Sequence, residues 1–327
     1  MLTLLDTITG HTDRVWCAAW SNDGQFLATC SSDKMIKIHK YDANTNKWRC
    51  KQTLDAQHSR TVRSVSWSPN GELLACASFD RSTSIWRRSS EQEDFHFVNF
   101  LEGHESEVKC VSWDSSGDLL ATCGRDKSVW VWLEEDDDFD CVGVLNGHSQ
   151  DVKRVLWHPN RPLLLSASYD DTVRCWCEEL DDWVCVDTLR GHTSTVWDIC
   201  FNPTGTHVAS CSDDLNIIIW RLEDQSIATT GKTLEFREET RISGEHGRSI
   251  YSVSWSKHAE KDLIASACGD DCLRIFGRNK QGEQFALLHK QDKAHETDLN
   301  CVAWNPVHTN LLATTSDDHN IKIWKFE

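Results

Sequence analysis

A chain of 327 residues would ordinarily suggest two or three domains, but that prior fails for repeat folds, which grow by adding units. Its net charge of −17 argues against non-specific binding to nucleic acid or to an anionic membrane, both of which need a basic footprint. No apolar run approaches the length of a membrane helix, and the first residues lack the charged, apolar and small-residue regions of a signal peptide. A soluble, cytoplasmic protein is expected, with a nuclear location left open.

Residues 2–8 (LTLLDTI) read as a short, partly alternating strand with no partner nearby in sequence. A register of marks then runs along the rest of the chain. His11, His58, His104, His148, His192, His246 and His295 are each followed nine residues later by an aromatic: Trp20, Trp67, Trp113, Trp157, Phe201, Trp255 and Trp304. Asp33, Asp80, Asp126, Asp170 and Asp214 lie 22 residues after their His, Asp270 lies 24 after and Asp318 23 after. Six residues beyond each Asp stand His39, Trp86, Trp132, Trp176, Trp220, Phe276 and Trp324. A register kept seven times is a repeat, which has to be recognised before any element is assigned.

Within each repeat the His precedes a strand ending at the aromatic (VWCAAW, VRSVSW, VKCVSW, VKRVLW). A turn (SNDG, SPNG, DSSG, NPTG), a second strand (FLATC, LLACA, LLATC, LLLSA, HVASC), a tight turn carrying the Asp and a third strand (SVWVW, NIIIW, NIKIW) follow. An acidic loop and a fourth strand (DFDCVGVL, DWVCVDTL) complete the unit. Four short strands per repeat, joined by Gly, Asn, Asp and Pro turns, predict the blades of an all-β, seven-bladed propeller spanning 1–327 as one domain. Only six fourth strands follow the seven three-strand sets, so residues 2–8 are expected to supply the seventh and close the ring, leaving no long exposed edge. The longest interval, His192 to His246, predicts a protruding loop within residues 222–245; the acidic runs Glu134–Asp138 and Glu178–Asp182 read as solvated loops at the outer edge.

Two features invite a chemical reading. Fifteen Cys in a chain without a signal sequence should be reduced thiols. Cys17, Cys110 and Cys301 lie six residues after a repeat His and Cys30, Cys123 and Cys211 three before a repeat Asp, positions that a ring spreads apart; no Cys-x-x-Cys occurs. Small buried hydrophobes are expected, with no metal or cofactor. The second feature is a triad-like set in each repeat, with hydroxyls four residues before the Asp at Thr29, Thr122, Ser166, Ser210, Ser266 and Thr314, and Cys76 as the exception. Seven active sites without a nucleophile elbow or phosphate loop are implausible. The expectation is a structural network in which hydroxyl, His, Asp and strand-end Trp satisfy one another, clearest in His104, Thr122, Asp126 and Trp132, in His148, Ser166, Asp170 and Trp176, and in His192, Ser210, Asp214 and Trp220. No catalytic residue is assigned, and no enzyme is expected; His39, Phe276 and Cys76 read as networks degenerating.

Function is then expected on the face where the loops leading into the first strands emerge. Positions three and five after each His, and the one before each Asp, point there. They supply Arg14, Trp16, Arg63, Phe79, Lys109, Arg125, Lys153, Tyr169, Trp197 and Tyr251 as candidate partner contacts, since aromatics and Arg dominate interface hot spots. In repeats one to four these positions hold five cations (Arg14, Arg63, Lys109, Arg125, Lys153) against Glu107 and Asp151; in repeats five to seven they hold only Asp213, Asp298 and Asp317. A basic half-face on an acidic protein suggests docking of an acidic or carboxylate-bearing partner, with Arg125, between Phe79 and Tyr169 on neighbouring blades, as its anchor.

The repeats resemble those of WD40 type, although no Trp ending a third strand is followed by Asp. GHESEVKCVSW, CGRDKSVWVW, LNGHSQDVKRVLWHP, SASYDDTVRCW, DDWVCVDTLRGHTSTVW and ACGDDCLRIF resemble the WD40 proteins of cytosolic iron–sulfur protein assembly, densely over about residues 58–220 and more thinly in repeats one, six and seven. The resemblance implies a scaffold of the late-acting targeting complex that joins a small acidic partner protein and a helical-repeat adaptor. It further implies contact with an iron-only hydrogenase-like assembly factor and with iron–sulfur apoprotein clients, and no ligation of the cluster by this chain. The family's functional top-face Arg falls on Arg125. Departures are His39 in blade one, Gly124 beside Arg125 and Cys175-Trp176-Cys177 in blade four. A WD40 substrate receptor of a ubiquitin ligase or chromatin complex is the alternative, and a metal-carrying protein using its Cys a further rival.

Overall fold

The computed structural model describes all residues except 56, 90–92, 137, 181, 227–231, 259–260 and 279–283. Seven four-stranded antiparallel sheets form the blades. Blade three shows the plan: Val108–Trp113 innermost, then Leu119–Gly124, Ser128–Glu135 and, outermost, Asp138–Asn146. Second strands such as Leu73–Ser78 and Leu163–Ser168 are buried at every residue, because each lies between two neighbouring blades. Outer strands are largely solvent-facing, as their mixed polar sequences allow: in Asp138–Asn146 only Phe139 and Leu145 are buried.

The core is accordingly divided into layers between blades. One layer joins Leu73, Ala75 and Ile85 of blade two to Val108, Val111 and Trp113 of blade three; another joins Val15, Ala18 and Leu27 of blade one to Ala313, Ile321 and Ile323 of blade seven. The aromatic nine residues after the His also ties blades together. Trp20 donates its indole N–H to the Ala303 carbonyl (3.0 Å), Trp67 to Ala19 (2.9 Å) and Trp157 to Ser112 (3.1 Å), each across a blade boundary.

The ring is closed by the N-terminal strand. Leu2–Ile8 pairs antiparallel with Ile321–Phe326, Leu2 opposite Phe326 and Ile8 opposite Ile321, so blade seven is built from both ends of the chain. The interval between His192 and His246 is not a loop, as the sequence suggested, but a long hairpin. Ile217–Ser226 and Lys232–Ile242 pair from Ile217 opposite Ile242 out to Ser226 opposite Lys232, so added residues lengthened an existing ladder rather than leaving their backbone groups unpaired. Its tip, 227–231, lies outside the described residues.

The acidic runs sit at third-to-fourth-strand hairpins, between Glu135 and Asp138 and between Glu179 and Asp182, with residues 137 and 181 outside the described set. Glu134 is less solvated than expected, being one-fifth exposed with Arg87 of blade two at 3.9 Å.

Candidate interaction face

Each Asp mark shapes the turn that presents the face. The residue after it is left-handed in all seven blades: Lys34, Arg81, Lys127, Asp171, Leu215, Asp271 and His319, with φ between 62° and 80°. None is Gly. The conformation is sustained because the Asp carboxylate accepts the N–H two residues on, as from Met35 (2.9 Å), Ser128 (3.2 Å) and Asn320 (3.0 Å).

The other carboxylate oxygen reaches the His. In blade three His104 Nδ1 meets Asp126 at 2.7 Å, His104 Nε2 meets the Thr122 hydroxyl at 2.9 Å, and Trp132 donates to that hydroxyl at 2.9 Å. Blade four repeats this with His148, Asp170, Ser166 and Trp176 (2.8, 2.7 and 2.8 Å), and blade five with His192, Asp214, Ser210 and Trp220 at the same distances. Burial opposes the Asp126 charge, but the hydrogen bond and the positive field of His104 hold its carboxyl down at about 2.

Two departures repair themselves. In blade one His39 Nε2 takes the Trp role, 3.0 Å from Thr29, and burial among His11 and Lys37 pushes its pKa down to about 3, which keeps the ring neutral. In blade two the partner of His58 is not the Cys76 position but Ser84, at 2.9 Å, which also accepts from Trp86 at 3.1 Å; the hydroxyl has moved to the neighbouring strand. Blade six is the exception. Asp270 is taken by the buried Arg274 in two contacts (2.9 and 2.6 Å), leaving His246 Nδ1 without a hydrogen-bond partner and Nε2 on Ser266. Burial and the Arg274 charge lower the His246 pKa to about 3.

Two of the three face positions pair in every blade. The residue before the Asp donates its N–H to the carbonyl of the residue three after the His: Arg125 to Glu107 (2.9 Å), Tyr169 to Asp151 (2.9 Å), Phe79 to Thr61 (2.9 Å). At Gly124 the Glu107 carbonyl lies 2.7 Å from where a Cβ would stand, so a side chain there would require the backbone beside Arg125 to shift.

The position five after the His instead lines the mouth of the central channel, placing Trp16, Arg63, Lys109, Lys153, Trp197, Tyr251 and Asn300 in one ring. Cations and aromatics interleave across blade boundaries. Arg63 lies over Trp16 (4.8 Å), Lys109 over Phe79 (4.6 Å), and Lys153 over both Tyr169 (3.8 Å) and Trp197 (4.7 Å). Trp197 packs edge-on against Tyr251 at 5.3 Å.

Arg125 is not stacked on Phe79 or Tyr169, as its neighbours in sequence register suggested, because Lys109 and Lys153 already cover those rings. Its side chain is 60% exposed and, among the described residues, pairs with Glu107 alone, at 3.3 Å. Glu107, itself buried, is shared with Arg60 (3.0 Å), and the Ser106 hydroxyl with both guanidinium groups holds its carboxyl down at about 2. Arg14 reaches Asp317 of blade seven at 3.2 Å, so the basic half-face begins with an ion pair across the ring closure.

The WD domain, G-beta repeat model matches residues 2–40, 48–87, 95–132, 139–177, 183–221 and 287–325. A probable cytosolic iron–sulfur protein assembly protein Ciao1 from Culex quinquefasciatus is 47% identical over all of this chain and 98% of its own length. The chain belongs to the WD40-repeat family of cytosolic iron–sulfur protein assembly proteins. The protein CIA1 of Arabidopsis thaliana is 45% identical over 99% of this chain and 96% of its own, and a probable CIAO1 homolog of Caenorhabditis elegans 41% over 97% and 95%. The repeat model leaves out 222–286, which contains the first three strands of blade six, where the His–Asp link has been replaced by Arg274.

In this family member several face residues escaped the repeat register. Arg60, two after its His, holds the Phe79 carbonyl (2.9 Å) as well as Glu107; Arg248, also two after its His, holds Asp298 at 3.0 Å. An arginine recurring at that offset in blades two and six was the available signal. The cysteines, too, lie closer than their spread around a ring implied, because the innermost strands converge on the channel. Cys17, Cys110 and Cys301 all line it, and cross-strand pairing sets Cys17 opposite Cys30 and Cys110 opposite Cys123. All fifteen are unpaired thiols. Among the described residues no three His, Cys, Asp or Glu side chains gather as a metal-ligand set, and no helix is long and apolar enough to cross a membrane.

Proposed function

We propose that this chain is a non-enzymatic scaffold of the cytosolic iron–sulfur targeting complex, mediating late delivery of clusters to cytosolic and nuclear apoproteins through protein contacts. The observation that carries the reading is the end-to-end match to relatives named for cytosolic iron–sulfur protein assembly, which spans every blade rather than the repeat consensus alone. The partners it assigns are a small acidic protein, a helical-repeat adaptor, an iron-only hydrogenase-like factor and the apoprotein clients, meeting in the cytoplasm.

Arg125 is the docking residue. Its guanidinium projects from a turn fixed by Asp126, spends one contact on Glu107 and presents the rest to solvent. A carboxylate-bearing partner finds there a fork of donors held in place before binding. Arg14, Lys109, Arg63 and Lys153, with Trp16, Phe79, Tyr169, Trp197 and Tyr251, form the surrounding arc.

The test is affinity capture from native cytosol with the wild-type chain and Arg125→Glu, read by mass spectrometry. Iron–sulfur assembly factors and apoproteins recovered by wild type and lost by the variant, at unchanged melting temperature, are expected. Recovery of ubiquitin-ligase or chromatin subunits in their place would refute the assignment.

A further inference from the structure

The channel mouth gathers charge that the fold does not need. Its ring is formed by one residue per blade, and in blades five, six, seven and one that residue is Trp197, Tyr251, Asn300 and Trp16, so a propeller of this sequence closes without a cation there. Blades two, three and four place Arg63, Lys109 and Lys153 side by side. One layer deeper the charges are settled, since Arg154 meets Asp198 at 3.0 Å and Ser252 donates to the same carboxylate at 2.8 Å. In the upper ring they are not. Lys109 has Asp151 at 3.8 Å, but Arg63 and Lys153 make no ion pair and no hydrogen bond among the described residues, Asp151 acting on Lys153 only from beyond pairing distance.

Their contacts are with π-faces, so their N–H donors turn to the solvent of the channel mouth and are open to an anion. Lys109 and Lys153 are nonetheless sunk between the blades, and the strain shows in their titration. Burial first, then the charge of Lys109, pushes the Lys153 ammonium down to about 7; burial also lowers Lys109. Like charges converging in a half-dry ring repel one another unless an anion completes them.

We propose that the channel mouth is a binding site for a small, multiply charged phosphate-type anion held by Arg63, Lys109 and Lys153. More than one negative charge is required because three cations share a single carboxylate. The planar fork of Arg63 suits paired phosphate oxygens, while the two lysines act as point charges on the remaining ones. Trp16 and Trp197 wall the two ends of the arc, and the channel beneath it narrows to about 30 Å³, room for a water rather than an anion, so the phosphate-type group rests at the open mouth against the ring. This site uses Arg63, Lys109 and Lys153 of the arc around Arg125 but not Arg125 itself, so protein docking at Arg125 and anion binding at the ring can each fail alone.

The probe is inorganic pyrophosphate, titrated calorimetrically into the full chain at low and at physiological ionic strength, with citrate as a polyanion lacking phosphorus. One pyrophosphate per chain is expected, weakening with salt and bound more tightly than citrate. Arg63→Gln and Lys153→Met should each lower the affinity roughly tenfold or more by removing charge-assisted hydrogen bonds, and Lys325→Ala, at the far end of blade seven, should not. Pyrophosphate also takes up a proton near neutral pH, so the Lys153 contribution, which grows as pH falls through about 7, is read as the difference between wild type and Lys153→Met across that range. The groups facing that ammonium are Lys109, Arg63, Asp151 and Cys123 together with the Tyr169 and Trp197 rings. If the variants fold poorly, a lysine side-chain NMR titration of wild type decides, since saturating pyrophosphate should move the Lys153 midpoint upward. No pyrophosphate binding, equal binding of citrate, affinity untouched by Arg63→Gln, or an unmoved Lys153 midpoint would each overturn the proposal.

Discussion

Asp126→Ala separates the residue that builds the docking turn from the residue that uses it. The carboxylate accepts from His104 Nδ1 (2.7 Å), the Glu105 N–H (3.0 Å), the Ser128 N–H (3.2 Å) and the Ser128 hydroxyl (2.7 Å). The Glu105 N–H is exposed and recovers a water, whereas His104 and Ser128 are each 6% exposed and do not. These two residues present three donors to the carboxylate, and each one that finds no other acceptor costs about 1–3 kcal/mol. Arg125→Ala, one residue away, removes a single ion pair from an exposed side chain and should cost about 0–1 kcal/mol. Urea denaturation read by tryptophan fluorescence, compared at equal slope, gives both numbers. The difference must also depend on pH. The Asp126 carboxyl falls from 3.8 unfolded to about 2 folded, so its contribution is complete above the unfolded value and disappears as pH drops through the folded one. Wild type and Asp126→Ala should therefore converge between pH 3.8 and about 2. Equal destabilisation by the two substitutions at neutral pH would show that Arg125 is part of the scaffold and that the division drawn here is wrong.

Ser84→Ala should destabilise blade two by about 1–3 kcal/mol, because it strips both His58 Nε2 and Trp86 Nε1 of their partner; pairing it with Cys76→Ser should restore part of the loss by returning the hydroxyl to the second strand. A Ser84→Ala chain with an unchanged urea midpoint would mean that Cys76 carries the network after all. Arg274→Leu leaves Asp270 half-buried without its cation and should cost about 3–5 kcal/mol, far more than the exposed Arg241→Leu; similar losses for the two would remove Arg274 as the replacement for the His–Asp link. Deleting residues 1–8 takes the partner from Ile321–Phe326 and exposes a strand edge, so the truncated chain should lose its cooperative melt and aggregate on warming; a melt like wild type would show that the ring does not depend on this closure.

The propeller was legible because the marks that reveal it are structural necessities repeated seven times. A His, a hydroxyl, an Asp and an aromatic at fixed spacing report one hydrogen-bonded turn, and the unpaired strand at residues 2–8 reports the closure by simple counting. What spacing could not report is substitution that preserves an interaction while moving it. Ser84 does for blade two what Thr122 does for blade three from a different strand, and His39 keeps the hydrogen bond of a missing Trp. The hairpin of blade five was misjudged because Ile217–Ser226 and Lys232–Ile242 carry mixed polar residues, and pairing in an outer ladder needs backbone rather than an apolar face.

The candidate site follows the opposite logic. Wherever the register is obeyed, the side chains are consumed: the seven Asp hold their turns, and six of the seven hold their His. Positions free to vary are the ones left over to carry function, and there the sequence shows only types, since the partner of each charge is set by blades adjacent in space. Arg14 finds Asp317 across the closure, Arg60 and Arg125 share Glu107, and Lys109 and Lys153 settle on rings that the register had paired with Arg125. Formal charge therefore overstates how many cations await a partner. Arg125 remains available because its one carboxylate is already divided with Arg60, and Arg63 and Lys153 because neither forms an ion pair among the described residues. A single face thus holds two sites of different reach: an exposed guanidinium fit for a protein surface, and a recessed ring fit only for something small.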